Sequence, residues 1–132
     1  MNKTFSLLTI ASLFVLLFQV VAFAESVVFE KYLVDVDCAN KAIKDDQTNL
    51  RTNSENHTVA CLKKPSSMAS GYGVIIRNKE TGKYNFYKFD EKGDEIARKL
   101  LETTNKTDKI QIKVRGTIEN SMVIKVKSIE EK

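Results

Sequence analysis

Hydrophobic and polar positions alternate clearly in the second half of the chain. In residues 109–118, Ile110, Ile112, Val114 and Ile118 point one way, and Lys109, Gln111, Lys113, Arg115 and Thr117 the other. Period two predicts a strand with one buried and one wet face. Residues 119–121 turn the chain, and Met122, Ile124 and Val126 then alternate with Val123, Lys125 and Lys127 in a last strand. Upstream, residues 94–103 switch to helical spacing. Ile96, Ala97, Leu100 and Leu101 form one stripe, with Asp94 and Glu95 near the helix start, where the dipole favours anions. Residues 73–77 (GVIIR) and 84–89 (YNFYKF) read as two strands joined by a turn cluster ending in Gly82, a hairpin signal. Residues 27–36 (VVFEKYLVDV), rich in β-branched and aromatic side chains, read as the first strand.

The pattern lapses between the first and second strands. Residues 38–70 are rich in Asn, Asp, Ser, Thr and Lys and hold both cysteines and Pro65. A short helix around residues 39–44, capped by Asp37, is the one regular element expected there. An irregular stretch of this length inside a domain needs fastening. The order is strand, long insert, strand, strand, helix, strand, strand. It predicts a mainly β (α+β) fold, an OB-like five-stranded antiparallel partly open barrel with its helix between strands three and four.

The N-terminus changes the picture. Lys3 precedes a nearly wholly apolar run over residues 5–18, and Ala22-Phe23-Ala24 follows before the first acid, Glu25. A cationic start, an apolar run and small residues at an exit predict a secretory signal peptide over residues 1–24. Retention as an uncleaved anchor is the alternative. Cleavage leaves residues 25–132 as a single domain, exported to a periplasm or the cell exterior, without a membrane span. Of 132 residues, 29% are charged and 42% hydrophobic, with a net charge of +4 before cleavage. Those values exclude a disordered tail and a multi-span membrane protein. A monomer is expected. Nucleic acid is not an expected partner after export.

Several short motifs occur in a distinctive order: Val34-Asp35-Val36-Asp37-Cys38, then His57 and Cys61, then residues 69–74 (ASGYGV), 84–90 (YNFYKFD) and 114–118 (VRGTI). This order resembles a group of small secreted bacterial proteins with an OB-like fold, over roughly residues 29–129. The resemblance implies export and fold, and no activity with them. Related sequences often carry a further Cys shortly after the second; this chain has Leu62, Lys63 and Lys64 there.

Chemistry rests on few residues. Cys38 and Cys61 are the only cysteines, and an even count in an exported chain predicts a disulfide. It would close a loop of 24 residues, worth about 3.4 kcal/mol by the chain-entropy model. The alternative is a metal or thiol-redox site built from Cys38, His57 and Cys61, residue types that suit Zn or Cu. His57 and Cys61 would share a face if their segment were helical, and Asp35 or Asp37 could add an oxygen ligand. Taken alone, His57 reads as a solvated loop residue. No nucleophile elbow, HExxH or paired-carboxylate signature marks an enzyme, and no cofactor is implied.

Two surfaces could bind a ligand. Tyr84 and Phe86 lie on one face of their strand and Tyr87 and Phe89 on the other. One pair should be core; the other either forms a stacking platform or is packed beneath the insert. Lys109, Lys113, Arg115, Lys125 and Lys127 would crowd one outer surface, where edge protection and solubility are the plainer explanation. The leading expectation is a non-enzymatic binding or structural module of the cell envelope. Its ligand, a glycan, peptide or protein, would meet Tyr84, Phe86, Lys113 and Arg115.

Overall fold

The computed structural model describes residues 24–45, 54–119 and 121–132. The signal-peptide expectation therefore falls almost wholly outside the described residues. The protein is mainly β, with strands β1 (Glu25–Tyr32), β2 (Val34–Asp35), β3 (Tyr72–Arg77), β4 (Tyr84–Phe89), β5 (Gln111–Ile118) and β6 (Val123–Glu131). Its helices are α1 (Val36–Asp45), α2 (Val59–Leu62), α3 (Pro65–Ser70) and α4 (Glu91–Thr103). No helix among the described residues is long and apolar enough to cross a membrane.

The strands form one six-stranded sheet in the order β1-β5-β6-β4-β3-β2. All pairings are antiparallel except β4 with β6, where Lys88 and Phe89 run parallel to Val123 and Ile124. The sheet is therefore mixed and open, where a five-stranded antiparallel arrangement was expected. Helix α4 explains the parallel pair. It carries the chain away after β4, β5 and β6 then form a hairpin of their own, and β6 returns in the direction of β4. The expected first strand is broken into two. Only Leu33 separates β1, at one edge, from β2, at the other. The Leu33 N–H still donates to Ile110 O at 2.8 Å, while Val34 pairs with Gly73 across the sheet.

The alternation in β5 is realised: Ile112, Val114 and Gly116 are buried, and Arg115 is exposed. Helix α4 covers this face through Ala97 and Leu101, which join Phe89, Ile124 and Val126 in the main core. Asp90 starts the helix three residues earlier than the apolar stripe suggests. Its carboxylate accepts from Gly93 N at 3.0 Å and from Val126 N at 3.2 Å, so one cap fixes helix to strand. Gly93 permits that approach, since a Cβ there would lie 2.5 Å from Val126 Cγ2. A smaller cluster of Val34, Ala39 and Ile75 packs with Tyr84 and Phe86.

The long insert is not irregular among its described residues. It holds α1, a 3-10 turn (Ser54–Asn56), α2 and α3. α2 and α3 are only four and six residues long, too short for an apolar period to show in the sequence. Three polar side chains supply order instead: Thr58 Oγ1 accepts from Cys61 N at 3.2 Å, Ser67 Oγ donates to Cys61 O at 3.0 Å, and Tyr72 OH donates to Leu62 O at 2.8 Å.

Candidate metal centre

The site begins where β2 ends. Asp35 follows Val34 in the strand, faces Tyr72 of β3, and is wholly buried. The next residue, Val36, donates its N–H to Gly71 O at 2.9 Å, which ends the pairing and starts α1. Gly71 takes φ of 88°, a left-handed conformation natural to glycine. Asp35 Oδ2 accepts from Cys38 N at 3.1 Å in the manner of an N-cap, and so fixes Cys38 in the first turn. The expected cap, Asp37, instead lies within that turn and pairs with Lys41 at 3.0 Å. An i, i+4 contact in water contributes only a few tenths of a kcal/mol.

The second oxygen of Asp35 meets His57 Nε2 at 2.8 Å. His57 is 5% exposed, so it is a buried, partnered residue, where a solvated loop position was expected. It lies on the short link between the 3-10 turn and α2. The link is pinned by the bridge of Thr58 with Asp108 and by Val59 N donating to Thr107 O at 2.8 Å. His57 and Cys61 are not on one helix, because α2 starts only at Val59. They converge because Thr58, in an extended conformation, caps α2: its Oγ1 accepts from Cys61 N at 3.2 Å and holds Cys61 in the first turn after His57. Leu62, fully buried, anchors α2 to the core.

The result is a cluster of three soft donors. The sulfurs of Cys38 and Cys61 and a ring nitrogen of His57 all lie within 4.8 Å of one another. Both cysteines are half-buried free thiols. The expected disulfide is thus not formed in this structure, although the two residues are brought together. With Nε2 committed to the carboxylate, Nδ1 is the nitrogen left for a ligand. A carboxylate behind a ligating imidazole fixes the tautomer and raises the basicity of the other nitrogen. Both Asp35 oxygens already hold partners, so Asp35 is placed to support the site rather than to ligate. Asp37 stands outside the cluster.

Electrostatics separate the possible chemistries. Burial by itself would raise the pKa of Asp35; the bonds from His57 and Cys38 N–H outweigh it and hold the carboxyl at about 2. It is a fixed anion at neutral pH. Burial, followed by the adjacent Asp35 carboxylate, pushes the Cys38 thiol up to about 12. That is the reverse of an activated nucleophile, which needs a depressed thiol pKa. A metal cation displaces such a proton directly, since its ligand is the thiolate.

The other expected site residues lie elsewhere. Tyr84 and Phe86 are half-buried against Val34, Ala39 and Ile75, so the first residues of the insert screen them. On the opposite face Phe89 is core, and Tyr87 packs with Phe29 at a ring separation of 5.8 Å. Lys113 pairs with Glu30 at 3.6 Å. Arg115 is exposed and lines a separate cleft. Sequence reasoning gave Asp35 only a secondary place as an oxygen ligand. Its position three residues before Cys38, the capping distance, was the available signal. Compared with known families, characterised proteins and solved structures, the chain finds no match in any of the three.

Proposed function

We propose that this is an exported OB-like domain that binds one soft metal ion, Zn²⁺ or Cu⁺, through Cys38, His57 and Cys61. The observation that carries the reading is the convergence of two sulfurs and an imidazole within 4.8 Å, with the imidazole oriented by buried Asp35. Two thiolates and one imidazole are a donor set selective for such ions over Mg²⁺ or Ca²⁺. The raised Cys38 thiol argues against thiol catalysis. This reading takes up the metal-site alternative from the sequence in place of the glycan-, peptide- or protein-binding module that was the leading expectation. The OB-like reading is supported by the break at Leu33. One continuous stretch supplies both edges of the sheet, which brings those edges together as a partly open barrel requires. Export is supported by the residue 1–24 pattern.

A structural disulfide is the second reading, favoured by the same closeness of the two sulfurs. Titration of the protein purified without reductant, with Zn²⁺ and with Cu⁺ against a competing chelator, separates the two. Metal binding predicts one retained equivalent in the wild type and none in His57→Ala. A disulfide predicts no retained metal, and a mass two hydrogens light after non-reducing purification, with or without His57.

A further inference from the structure

A second site lies on β1, β5 and β6 and shares no residue with the metal cluster. A cleft of about 530 Å³ is lined by Val28, Arg115, Lys125 and Lys127, with Lys92 contributed by α4. Four cations and no acid line it. Lys125 has a counter-charge, Glu119 at 3.0 Å. Among the described residues, Lys92, Arg115 and Lys127 have no ion pair.

Edge protection does not account for these charges. The sheet edges are β1 and β2, whereas β5 and β6 are interior strands paired on both sides. No two of these cations are direct cross-strand partners: Arg115 faces Ser128, and Lys125 faces Thr117. A bulge brings them together. The register shifts between Arg115, opposite Ser128, and Gly116, opposite Val126, which leaves Lys127 as the extra residue. Bulges of this kind re-aim side chains next to binding sites. The lining also has an apolar part. Val27 and Val126 contribute to it, and Val28, directly opposite Arg115, is 54% exposed. The volume falls in the roughly 300–1,000 Å³ range of small-ligand sites.

From this combination we infer that the cleft binds a phosphate ester, a multiply charged anion carried on a partly apolar body. Three cations without counter-charges suit a phosphate dianion better than a single carboxylate. The valines suit the organic group it esterifies. The ester could be a soluble metabolite or a lipid headgroup, and the chemistry recognised is the same. Field focusing by one sign of charge in a cleft draws such an anion in.

The test follows backbone amide shifts in ¹⁵N-labelled protein titrated with phenyl phosphate. Binding to vesicles of phosphatidylcholine containing phosphatidic acid, a lipid phosphate monoester, is measured in parallel. Saturable shifts centred on Val28, Gly116 and Lys127, weakened at least tenfold by Arg115→Gln with Lys127→Gln, would establish the site for a soluble ester. Vesicle binding lost in the same double variant would assign it to a lipid headgroup. Lys92→Gln, from a different element, should weaken either form of binding without touching the sheet. The inference is overturned if neither probe binds, if binding is indifferent to these substitutions, or if only an oligoglutamate peptide binds. Because His57→Ala leaves the cleft intact, it should bind phenyl phosphate as the wild type does.

Discussion

Asp35 carries the largest consequence of any single residue. Its two oxygens serve Cys38 N and His57 Nε2, so one side chain positions two of the three donors. Asp35→Asn should lower metal affinity by about 10- to 100-fold, the usual cost of losing the carboxylate behind a ligating histidine. Competition with a chromogenic chelator measures it, and unchanged affinity would remove Asp35 from the site. The same residue predicts an acid response. Its folded pKa of about 2 lies below the ordinary 3.8. The stabilisation is therefore complete above about pH 4 and disappears as pH falls through about 2. It amounts to about 2 kcal/mol. Urea unfolding of the metal-free protein should show the wild type losing that much more than Asp35→Asn between about pH 5 and about pH 2; parallel losses would contradict the assignment. Asp94 acts in the opposite sense. Burial raises its pKa, so its contribution declines as pH rises from the unfolded value toward the folded one.

At the scale of elements, Tyr72 links β3 to α2 and so to Cys61. Its hydroxyl donates to Leu62 O in the core at 2.8 Å. Tyr72→Phe leaves that carbonyl buried without a partner, at a cost of about 1–3 kcal/mol. A lower melting temperature together with weaker metal binding is expected. Lower stability with full affinity would show that α2 holds Cys61 without this bond. The elements also show what was legible in the sequence. β5, β6 and α4 were readable because each has one buried face, which a period reports; β3 and β4, packed on both faces, were readable from their β-branched and aromatic residues and the turn cluster ending in Gly82. The parallel β4–β6 pair was not, since pairing partners leave no local trace. α2 and α3 were missed because each is too short to show a period, and their order comes from Thr58, Ser67 and Tyr72. Cys38, His57 and Cys61 were legible in the sequence only as residue types. Their convergence was not readable, because it depends on the Thr58 cap of α2 and on the two bonds accepted by buried Asp35.

At the scale of the whole molecule, an ion held at the proposed site would fasten the insert beside the sheet. Cys38 is on α1, beside β2, and Cys61 is on α2, so an ion held by both does mechanically what a disulfide would do. Removing metal with a chelator should therefore lower the melting temperature, as expected when a ligand binds only the folded state. It should also make both cysteines open to alkylation. A melting temperature indifferent to chelator would mean that the insert is held by its hydrogen bonds alone. The central claim is that Cys38, His57 and Cys61 together hold one ion. X-ray absorption at the metal edge of the reduced protein, reconstituted with Zn²⁺ and freed of excess, tests this most directly. The account predicts one ion per chain with two sulfur neighbours and one imidazole nitrogen, and loss of the imidazole signature in His57→Ala. An oxygen-only shell, or a spectrum identical in wild type and His57→Ala, would contradict it.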